Sequence, residues 1–357
     1  MRFATYRHHV AGSGSLGADL HTDPTGLDPG GKNRSGLDPG GEDRSGLDPG
    51  GEDRVGVLGP GGQVYRIPGV SRLIDLLGGD DTNERLRAIG EAALADAEMA
   101  VDLDAVTLRA PVPAQPSIRD FLAFEEHRRT TNGGTVDPDW YELPVFYFSN
   151  PAAVYGPTDG VPMAPGCRLW DYELEVAAVI GRAGADLAPD EAEAHIAGYT
   201  ILCDWSARDI QGREMRQQLG PAKGKDTATS MGPWLVTPDE LRGHLGPGAR
   251  SFDLTMSVSV NGRRYGGGRL SDIFWSFGEM IAYASRGTRV MPGDIIGSGT
   301  VGTGCILELA LSGQGGEHPW LVPGDLVELH VEGLGRLRHR VLPAVTMVPL
   351  RPKAGEV

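Results

Sequence analysis

The sequence is poor in cysteine, in positive charge and in long hydrophobic runs, and each shortage excludes a class of protein. Its 357 residues include three cysteines, Cys167, Cys203 and Cys305, and no close pair indicates a disulfide framework or a zinc knuckle. Acidic residues outnumber basic ones by 48 to 33, which gives a net charge of −15. A basic surface for nucleic acid is therefore not expected.

The chain also contains no apolar run that approaches membrane-spanning length, so no membrane partner is expected. Residues 1–7 have no apolar core of the kind that a signal peptide needs. We therefore expect a soluble, cytoplasmic protein. A chain of this length is long enough for a large core and predicts two domains.

A decapeptide repeat occupies residues 26–55, with copies that begin at Gly26, Gly36 and Gly46. Each copy is rich in glycine, proline and charge and has one leucine, too little apolar surface to offset the ordering of the backbone. We predict a disordered insertion. The alternative, a calcium-binding β-roll, is disfavoured because that repeat has a period of nine and this one carries proline in every copy.

The first 110 residues predict a small β-rich domain that contains this insertion. Residues 1–7 and 105–108 have strand character, and residues 55–58 and 63–67 flank a Gly-Pro-Gly-Gly turn typical of a β-hairpin. Thr82 is a candidate N-cap for a helix. The proline-rich stretch 111–116 is a stiff linker, so we place the domain boundary there and expect residues 111–357 to form the second domain.

The second domain is predicted to be α+β and mainly β. Its first segment, 117–127, has helical spacing with Ser117 as N-cap, which would put Asp120 and His127 on one helix face. Alternation of β-branched residues and turn sequences such as Pro-Gly-Asp then predicts strands, with two further helices at 189–197 and 271–285. The predicted strands are 143–148, 170–181, 252–260, 294–299, 304–311 and 325–331.

The strand predicted at 170–181 carries the most informative pattern. Side chains two residues apart point the same way from a strand, so Glu173 and Glu175 share one face and Tyr172, Leu174 and Val176 the other. Adjacent buried carboxylates repel unless a positive charge compensates them. A hard divalent cation would do so; a solvated strand face is the alternative.

Two further segments carry polar side chains at suggestive positions. Helical spacing places Asp204, Arg208 and Gln211 on one face of a helix. Asp204 and Arg208 could form an ion pair at the surface. Alternatively, Asp204 could be a metal ligand while Arg208 and Gln211 contact an anionic substrate. Lys225 lies in a glycine-rich loop, where a lysine is usually solvated. We expect a role for Lys225 in the site only if its side chain points at the acidic side chains named above.

Residues 297–302 read Gly-Ser-Gly-Thr-Val-Gly, which matches a dinucleotide-binding fingerprint literally. That motif requires a helix next, whereas residues 305–311 alternate like a strand, so we favour a turn whose Thr300 hydroxyl grips a carboxylate. Glu308 would lie in that strand, either on an exposed face or paired with His127, which it would orient.

Together these segments resemble the fumarylacetoacetate hydrolase family over residues 105–348. The resemblance implies a mixed β-roll, a homodimer and a Mg²⁺ or Ca²⁺ ion (Mn²⁺ is an alternative). It also implies a role for each of eleven side chains. The metal ligands would be Asp120, Glu173, Glu175 and Asp204, and the general base would be His127, oriented by Glu308. The negative charge on substrate oxygens would be stabilised by Lys225, Gln211 and Arg208. The substrate carboxylates would be positioned by Tyr147 and Thr300.

The chain also departs from the hydrolase that gives the family its name. Residues 215–218 lack an expected aromatic, and residues 128–134 do not match the substrate-binding run. Our leading hypothesis is therefore a hydrolase that cleaves a C–C bond in an acylpyruvate or another 1,3-diketo acid. An isomerase or decarboxylase of 2-hydroxy-diene or 2-oxo acids and a non-catalytic binding module are the alternatives.

Overall fold

Antiparallel strands dominate the molecule, which confirms the predicted α+β, mainly β class. A computed structural model describes residues 1–9, 51–246 and 250–350. Within those ranges, no helix combines the length and the hydropathy needed to cross a membrane. Residues 26–50, most of the predicted disordered repeat, lie outside the described ranges.

The described strands are numbered in chain order. They are β1 (Arg2–His8), β2 (Arg54–Leu58), β3 (Gln63–Arg66), β4 (Ala100–Asp102), β5 (Val106–Arg109), β6 (Ile118–Phe121), β7 (Phe146–Ser149), β8 (Val154–Tyr155), β9 (Val161–Pro162), β10 (Trp170–Asp171), β11 (Leu174–Ile180), β12 (Ile196–Asp204), β13 (Ser206–Ala207), β14 (Thr229–Val236), β15 (Met256–Val260), β16 (Arg263–Gly266), β17 (Ile295–Gly297), β18 (Leu326–Val331) and β19 (Gly335–Leu342).

The α-helices are short and lie between these strands. They are α1 (Thr82–Leu94), α2 (Glu125–Thr131), α3 (Pro189–Ala192), α4 (Arg208–Met215), α5 (Phe277–Ser285) and α6 (Ile306–Leu311). Turns of 3₁₀-helix cover Leu73–Leu76, Ala97–Met99, Leu103–Ala105, Pro138–Tyr141, Glu193–His195, Pro238–His244 and Leu270–Asp272.

One sheet of twelve strands runs through most of the molecule, in the order β4-β3-β2-β1-β14-β12-β11-β17-β6-β7, with β5 beside β1 and β8 beside β14. A five-stranded sheet has the order β16-β15-β18-β19-β9, and β10 pairs with β13. The predicted hairpin is present as β2 and β3. The domain boundary at residue 111 stays a prediction, and the large sheet crosses it because β1 pairs with β14.

Strand β11 lies at the centre of the large sheet, and its two faces meet different hydrophobic clusters. Leu174 and Val176 pack in the larger cluster together with Tyr172, whereas Ala177 and Val179 pack in the smaller one. All seven residues of the strand are buried. The predicted division of side chains between two faces is therefore confirmed, although the strand begins at Leu174 and β10 is a separate short strand.

Two predicted elements are wrong, and non-local contacts explain both. Residues 118–121 form strand β6 instead of a helix, because β6 pairs with β17 on one side and β7 on the other. Residues 306–311 form helix α6 instead of a strand. The Asp171 carboxylate accepts hydrogen bonds from the free backbone N–H groups of Ile306 and Leu307 at 2.7 and 3.0 Å.

Two local predictions in the N-terminal part also need correction. Thr82 is the first residue of α1 and not its N-cap; its hydroxyl donates to the carbonyl oxygens of Gly79 and Gly181. The last residues of the repeat, Arg54 and Val55, belong to β2, where Val55 is fully buried. The end of the repeat is thus part of the sheet.

Candidate active site

Four acidic side chains from the large sheet converge at one place. Glu173 and Glu175 lie at the start of β11, Asp204 ends the neighbouring β12, and Asp120 comes from β6. All four are at most 5% exposed. Strand β17 separates β11 from β6, and a Cβ atom on its residue Gly297 would lie 2.6 Å from Asp120 Oδ1. Glycine at this position therefore allows the carboxylates of β6 and β11 to approach each other.

Three of these carboxylates have a buried oxygen with no hydrogen-bond donor among the described residues. These oxygens are Asp120 Oδ1, Glu175 Oε1 and Asp204 Oδ1. Carboxylate oxygens of the three residues lie within 4.8 Å of one another. Burial is the main cause that raises the pKa of all three groups above the ordinary range. Buried anionic oxygens without donors fit a hard divalent cation, which would supply the missing positive charge.

Glu173 differs from the other three because two cations already bind it. Arg208 Nη2 lies 2.7 Å from Glu173 Oε1, and Lys225 Nζ binds Glu173 Oε2. Burial would raise the pKa of Glu173, but the charges of Arg208 and Lys225 outweigh burial and lower it. Lys225 also lies 2.6 Å from Asp204 Oδ2, so this lysine is buried in the acidic cluster and is not a solvated loop residue.

Arg208 is held in place by carboxylates on two sides. Its Nε donates to Asp171 at 2.8 Å, in addition to the contact with Glu173, and its Nη1 donates to Gln211 Oε1 at 3.1 Å. Arg208 and Gln211 do lie together on α4. Asp204, however, ends β12 and does not belong to that helix, so the predicted shared helix face is wrong for Asp204.

Tyr147 and Thr300 lie next to the acidic cluster. The Tyr147 hydroxyl donates to Asp204 Oδ2 at 2.5 Å and lies 3.3 Å from Asp120 Oδ2. Burial, followed by the charge of Asp204, raises the pKa of Tyr147, so this side chain stays a hydrogen-bond donor. Thr300 is buried and lines the same cavity, and the backbone N–H of Gly299 donates to Glu175 Oε2 at 3.0 Å.

His127 and Glu308 form a buried pair at the side of this cluster. His127 Nδ1 lies 3.1 Å from Glu308 Oε2. The backbone N–H of Thr303 donates to Glu308 Oε1 at 3.1 Å, and the Cys305 thiol lies 3.4 Å from Oε2. The pairing predicted from the sequence is therefore present, but the elements are not as predicted: Glu308 belongs to α6, and Asp120 and His127 do not share a helix.

A cavity of about 940 Å³ opens above these groups. His127, Arg208, Gln211 and Lys225 line it together with Tyr147, Thr300 and the carboxylates Asp120, Glu173 and Glu175. It is also lined by side chains to which the sequence analysis gave no role in the site. These are Arg128, Val145, Phe146, Phe148, Met215 and Leu219.

Asp171 is a further residue to which the sequence analysis gave no role. Its carboxylate is fully buried and joins Arg208 to the first backbone N–H groups of α6. Burial raises the pKa of Asp171, against the lowering effect of the Arg208 charge. Asp171 therefore links the arginine at the acidic cluster to the helix that carries Glu308.

Comparisons with known proteins find relatives in sequence and in fold. A curated relative, the 2,4-didehydro-3-deoxy-L-rhamnonate hydrolase of a Sphingomonas strain, is 32% identical over 199 residues, which span 56% of this chain and 65% of that enzyme. A solved maleylpyruvate hydrolase from Sphingobium sp. SYK-6, in complex with manganese(II) and pyruvate, superposes with a TM-score of 0.61 at 26% identity and covers 82% of this chain and 97% of that one. A 5-carboxymethyl-2-hydroxymuconate δ-isomerase from Mycobacterium smegmatis gives a TM-score of 0.60 at 26% identity, over 83% and 97% of the two chains.

The family comparison covers the part of the chain that contains every side chain described above. The model of the fumarylacetoacetate (FAA) hydrolase C-terminal domain matches residues 117–342. These residues include β6, which carries Asp120, and α6, which carries Glu308. The chain belongs to the fumarylacetoacetate hydrolase family.

Proposed function

We propose that this protein is a divalent-metal-dependent hydrolase that cleaves a C–C bond in an acylpyruvate or a related 1,3-diketo acid. One observation carries the proposal: a buried His127–Glu308 pair and three carboxylates with donor-free oxygens line or border the same cavity. The first arrangement suits the activation of water. The second suits a cation that binds oxygen ligands.

Asp120, Glu175 and Asp204 would hold the cation through their donor-free oxygens, and Glu173 would complete the set. A bound divalent cation supplies positive charge that stabilises the enolate form of a diketone. Mg²⁺, Mn²⁺ and Ca²⁺ all accept such ligands. The manganese present in the related maleylpyruvate hydrolase structure supports a divalent ion of this group.

His127 would act as the general base towards a water molecule. Its Nδ1 lies 3.1 Å from Glu308 Oε2, although the ring orientation does not give this contact hydrogen-bond geometry. The nearby carboxylate would keep the proton on Nδ1 and leave Nε2 to accept the proton from water. The water oxygen then bonds to the acyl carbonyl carbon, and the bond between that carbon and the methylene breaks. The products are a carboxylic acid and the enolate of pyruvate, which takes up a proton.

The remaining polar side chains would bind substrate oxygens. Lys225 and Arg208 are buried cations, and with Gln211 they would stabilise the negative charge that develops on oxygen during cleavage. Tyr147 and Thr300 line the cavity and would position a substrate carboxylate.

The direct test is a substrate panel with purified protein. Acylpyruvates, 2-oxo acids and 2-hydroxy-dienoates would each be incubated with Mg²⁺, Mn²⁺, Ca²⁺ or a chelator, and the products identified by NMR. The proposal requires equal amounts of pyruvate and a carboxylic acid from an acylpyruvate, with no cleavage in the chelator. Turnover of dienoates or 2-oxo acids without cleavage of any acylpyruvate would contradict it.

An isomerase or decarboxylase that uses the same residues is the second candidate. It is favoured by the likeness to a solved δ-isomerase, which superposes about as well as the maleylpyruvate hydrolase does. These reactions need no activated water, so the His127–Glu308 pair favours the hydrolase. The non-catalytic binding module is disfavoured by the same buried groups.

Two further parts of the proposal concern the protein as a whole. A homodimer, implied by the resemblance, is tested by light scattering of the purified protein. A cytoplasmic location, expected from the composition, is tested by fractionation of the cells that produce it.

A further inference from the structure

The cavity is larger than the reacting part of an acylpyruvate requires. At about 940 Å³ it lies near the upper end of the usual range for small-molecule sites. The acidic cluster and the His127–Glu308 pair occupy its buried end. Apolar side chains, among them Phe146 and Met215, line much of the rest, and two others are exposed to solvent: Phe148 is 65% exposed and Leu219 is 94% exposed. The part of a substrate beyond its diketone would therefore extend along an apolar wall.

One cation lies in this cavity outside the acidic cluster. Arg208 and Lys225 line the cavity but are bound by carboxylates. Arg128, next to His127 on α2, also lines the cavity. Its side chain has no ion pair or hydrogen bond with any of the residues that the structure describes, and its Nε is buried without an acceptor. Arg128 is thus a cavity cation whose charge no described carboxylate neutralises.

The carboxylates nearest in the helix sequence do not compensate Arg128. Glu125 binds the side chain of Arg129 and accepts a hydrogen bond from Tyr141 at 2.8 Å. Glu126 lies two positions before Arg128, and residues at that spacing do not face each other on a helix. The guanidinium therefore keeps its capacity for an anionic partner from the cavity.

We propose that Arg128 binds the distal carboxylate of a dicarboxylic substrate. This inference rests on the proposed function and narrows it: the substrate is a 1,3-diketo acid with a second carboxylate at the far end of its acyl chain. The planar guanidinium suits that group, because its N–H donors match the two oxygens of a carboxylate. The apolar wall would contact the chain between the two charged ends.

The test uses binding, so that it does not depend on turnover. 2-Oxoheptanedioate and 2-oxoheptanoate have chains of equal length that end in a carboxylate and a methyl group, and neither contains a 1,3-diketone that could be cleaved. Their affinities for the Mg²⁺-loaded full-length protein would be measured by calorimetry. The variants are Arg128→Met, Arg128→Lys and Arg129→Met. The last removes one charge from the same helix at a position that does not line the cavity.

Wild type should bind the diacid about 10- to 100-fold more tightly than the monoacid, the usual worth of a charged hydrogen bond. Arg128→Met should lose this preference with its affinity for the monoacid unchanged, which shows that the variant is folded. Arg128→Lys should keep part of the preference, and Arg129→Met all of it. A wild type without preference, a wild type that binds neither probe, or a preference that survives in Arg128→Met would overturn the inference.

Failure of this inference and failure of the proposed function give different results. The matched cleavage substrates are 2,4-dioxoheptanedioate and 2,4-dioxoheptanoate. If wild type cleaves both equally and shows no binding preference, the hydrolase stands and the role of Arg128 is wrong. If wild type cleaves neither but the binding preference depends on Arg128, the carboxylate subsite stands and the hydrolase is wrong.

Discussion

The two ends of the cavity are built in different ways. At the buried end, side chains from β6, β11 and β12 meet Lys225 and Arg208 in a network of ion pairs, and the carboxylates are at most 5% exposed. At the outer end, apolar side chains reach solvent and one arginine has no partner among the described residues. In the function that we propose, the buried end would carry out the reaction and the outer end would select the substrate.

The backbone reinforces this contrast. Hydrogen-bonded strands fix the buried carboxylates, and Gly297 permits their close approach. The outer wall includes the segment between α4 and β14. Glu214 holds residues 222–224 of that segment in place, because its carboxylate accepts hydrogen bonds from the backbone N–H groups of Ala222, Lys223 and Gly224 at 2.8–2.9 Å. Leu219, which precedes these residues in the chain, is almost fully exposed. We therefore expect substitutions at the buried end to have much larger effects.

The largest effect is expected from Glu175→Gln. One neutral ligand in place of a charged one should weaken Mg²⁺ binding by about 10²-fold or more, since carboxylate charge sets affinity at such sites. Glu173→Gln should weaken it less, because Glu173 already binds Arg208 and Lys225. Calorimetric titration with Mg²⁺ measures both. Equal affinity in wild type and Glu175→Gln would remove this residue from the metal site.

The same substitution should not destabilise the metal-free protein, although it weakens metal binding. Burial and the neighbouring Asp120 raise the pKa of Glu175, so its ionised form costs free energy in the metal-free fold at neutral pH. Metal-free Glu175→Gln should therefore melt at the same temperature as metal-free wild type or higher, and a given Mg²⁺ concentration should raise the melting temperature of wild type more than that of the variant. A metal-free variant that melts well below wild type would contradict this explanation.

His127→Ala should lower turnover by about 10²–10⁴-fold, the usual contribution of a positioned general base. Metal affinity should not change, because the imidazole is paired with Glu308 and not with the acidic cluster. Single-turnover cleavage with saturating metal measures the effect. A variant that cleaves an acylpyruvate as fast as wild type would show that His127 is not the general base.

Glu308→Gln should have a smaller effect, about 10-fold in turnover, because an amide oxygen 3.1 Å from His127 Nδ1 can still orient the imidazole, but without charge. The same single-turnover assay applies. A larger loss than that of His127→Ala would show that Glu308 does more than orient the histidine.

The smallest effect is expected at the outer end. Leu219→Ala removes an exposed side chain, so stability should change by no more than about 0.5 kcal/mol. Its turnover should stay within about threefold of wild type, with any change confined to KM. Steady-state kinetics on one acylpyruvate tests this expectation. A loss in turnover as large as that of Glu308→Gln would show that substitutions at the outer end affect the reaction as strongly as those at the buried end, which contradicts our expectation.

Local patterns in the sequence were sufficient for part of the site. The period of two along residues 172–176 correctly predicted which side chains share a face of β11, because that periodicity is a local property of a strand. The same local method failed for Asp120 and Glu308. Asp120 lies on a strand because β6 pairs with β17, almost 180 residues later in the chain. Glu308 lies on a helix whose first turn binds the carboxylate of Asp171.

The sequence did not predict that the residues of the outer end come together, although several of them lie in segments that it marked: the strand 143–148 and the divergent stretches 128–134 and 215–218. Arg128 differs from its neighbour Arg129 in no way that sequence spacing reveals, yet Arg129 pairs with Glu125 and Arg128 lines the cavity. Met215 was noted only because residues 215–218 lack an expected aromatic, and Leu219 belongs to no predicted element or motif. Such positions become visible only when the fold brings them to one surface.

The measurement that tests the central claim most directly is the fate of the oxygen of water. Metal-loaded protein would cleave 2,4-dioxoheptanoate in ¹⁸O-labelled water in a single turnover, too brief for the ketones to exchange with solvent, and mass spectrometry would identify the products. The hydrolase predicts equimolar pyruvate and butyrate, with one labelled oxygen in the butyrate, and no reaction in a chelator. Substrate consumed without pyruvate, or butyrate without label, would contradict the account.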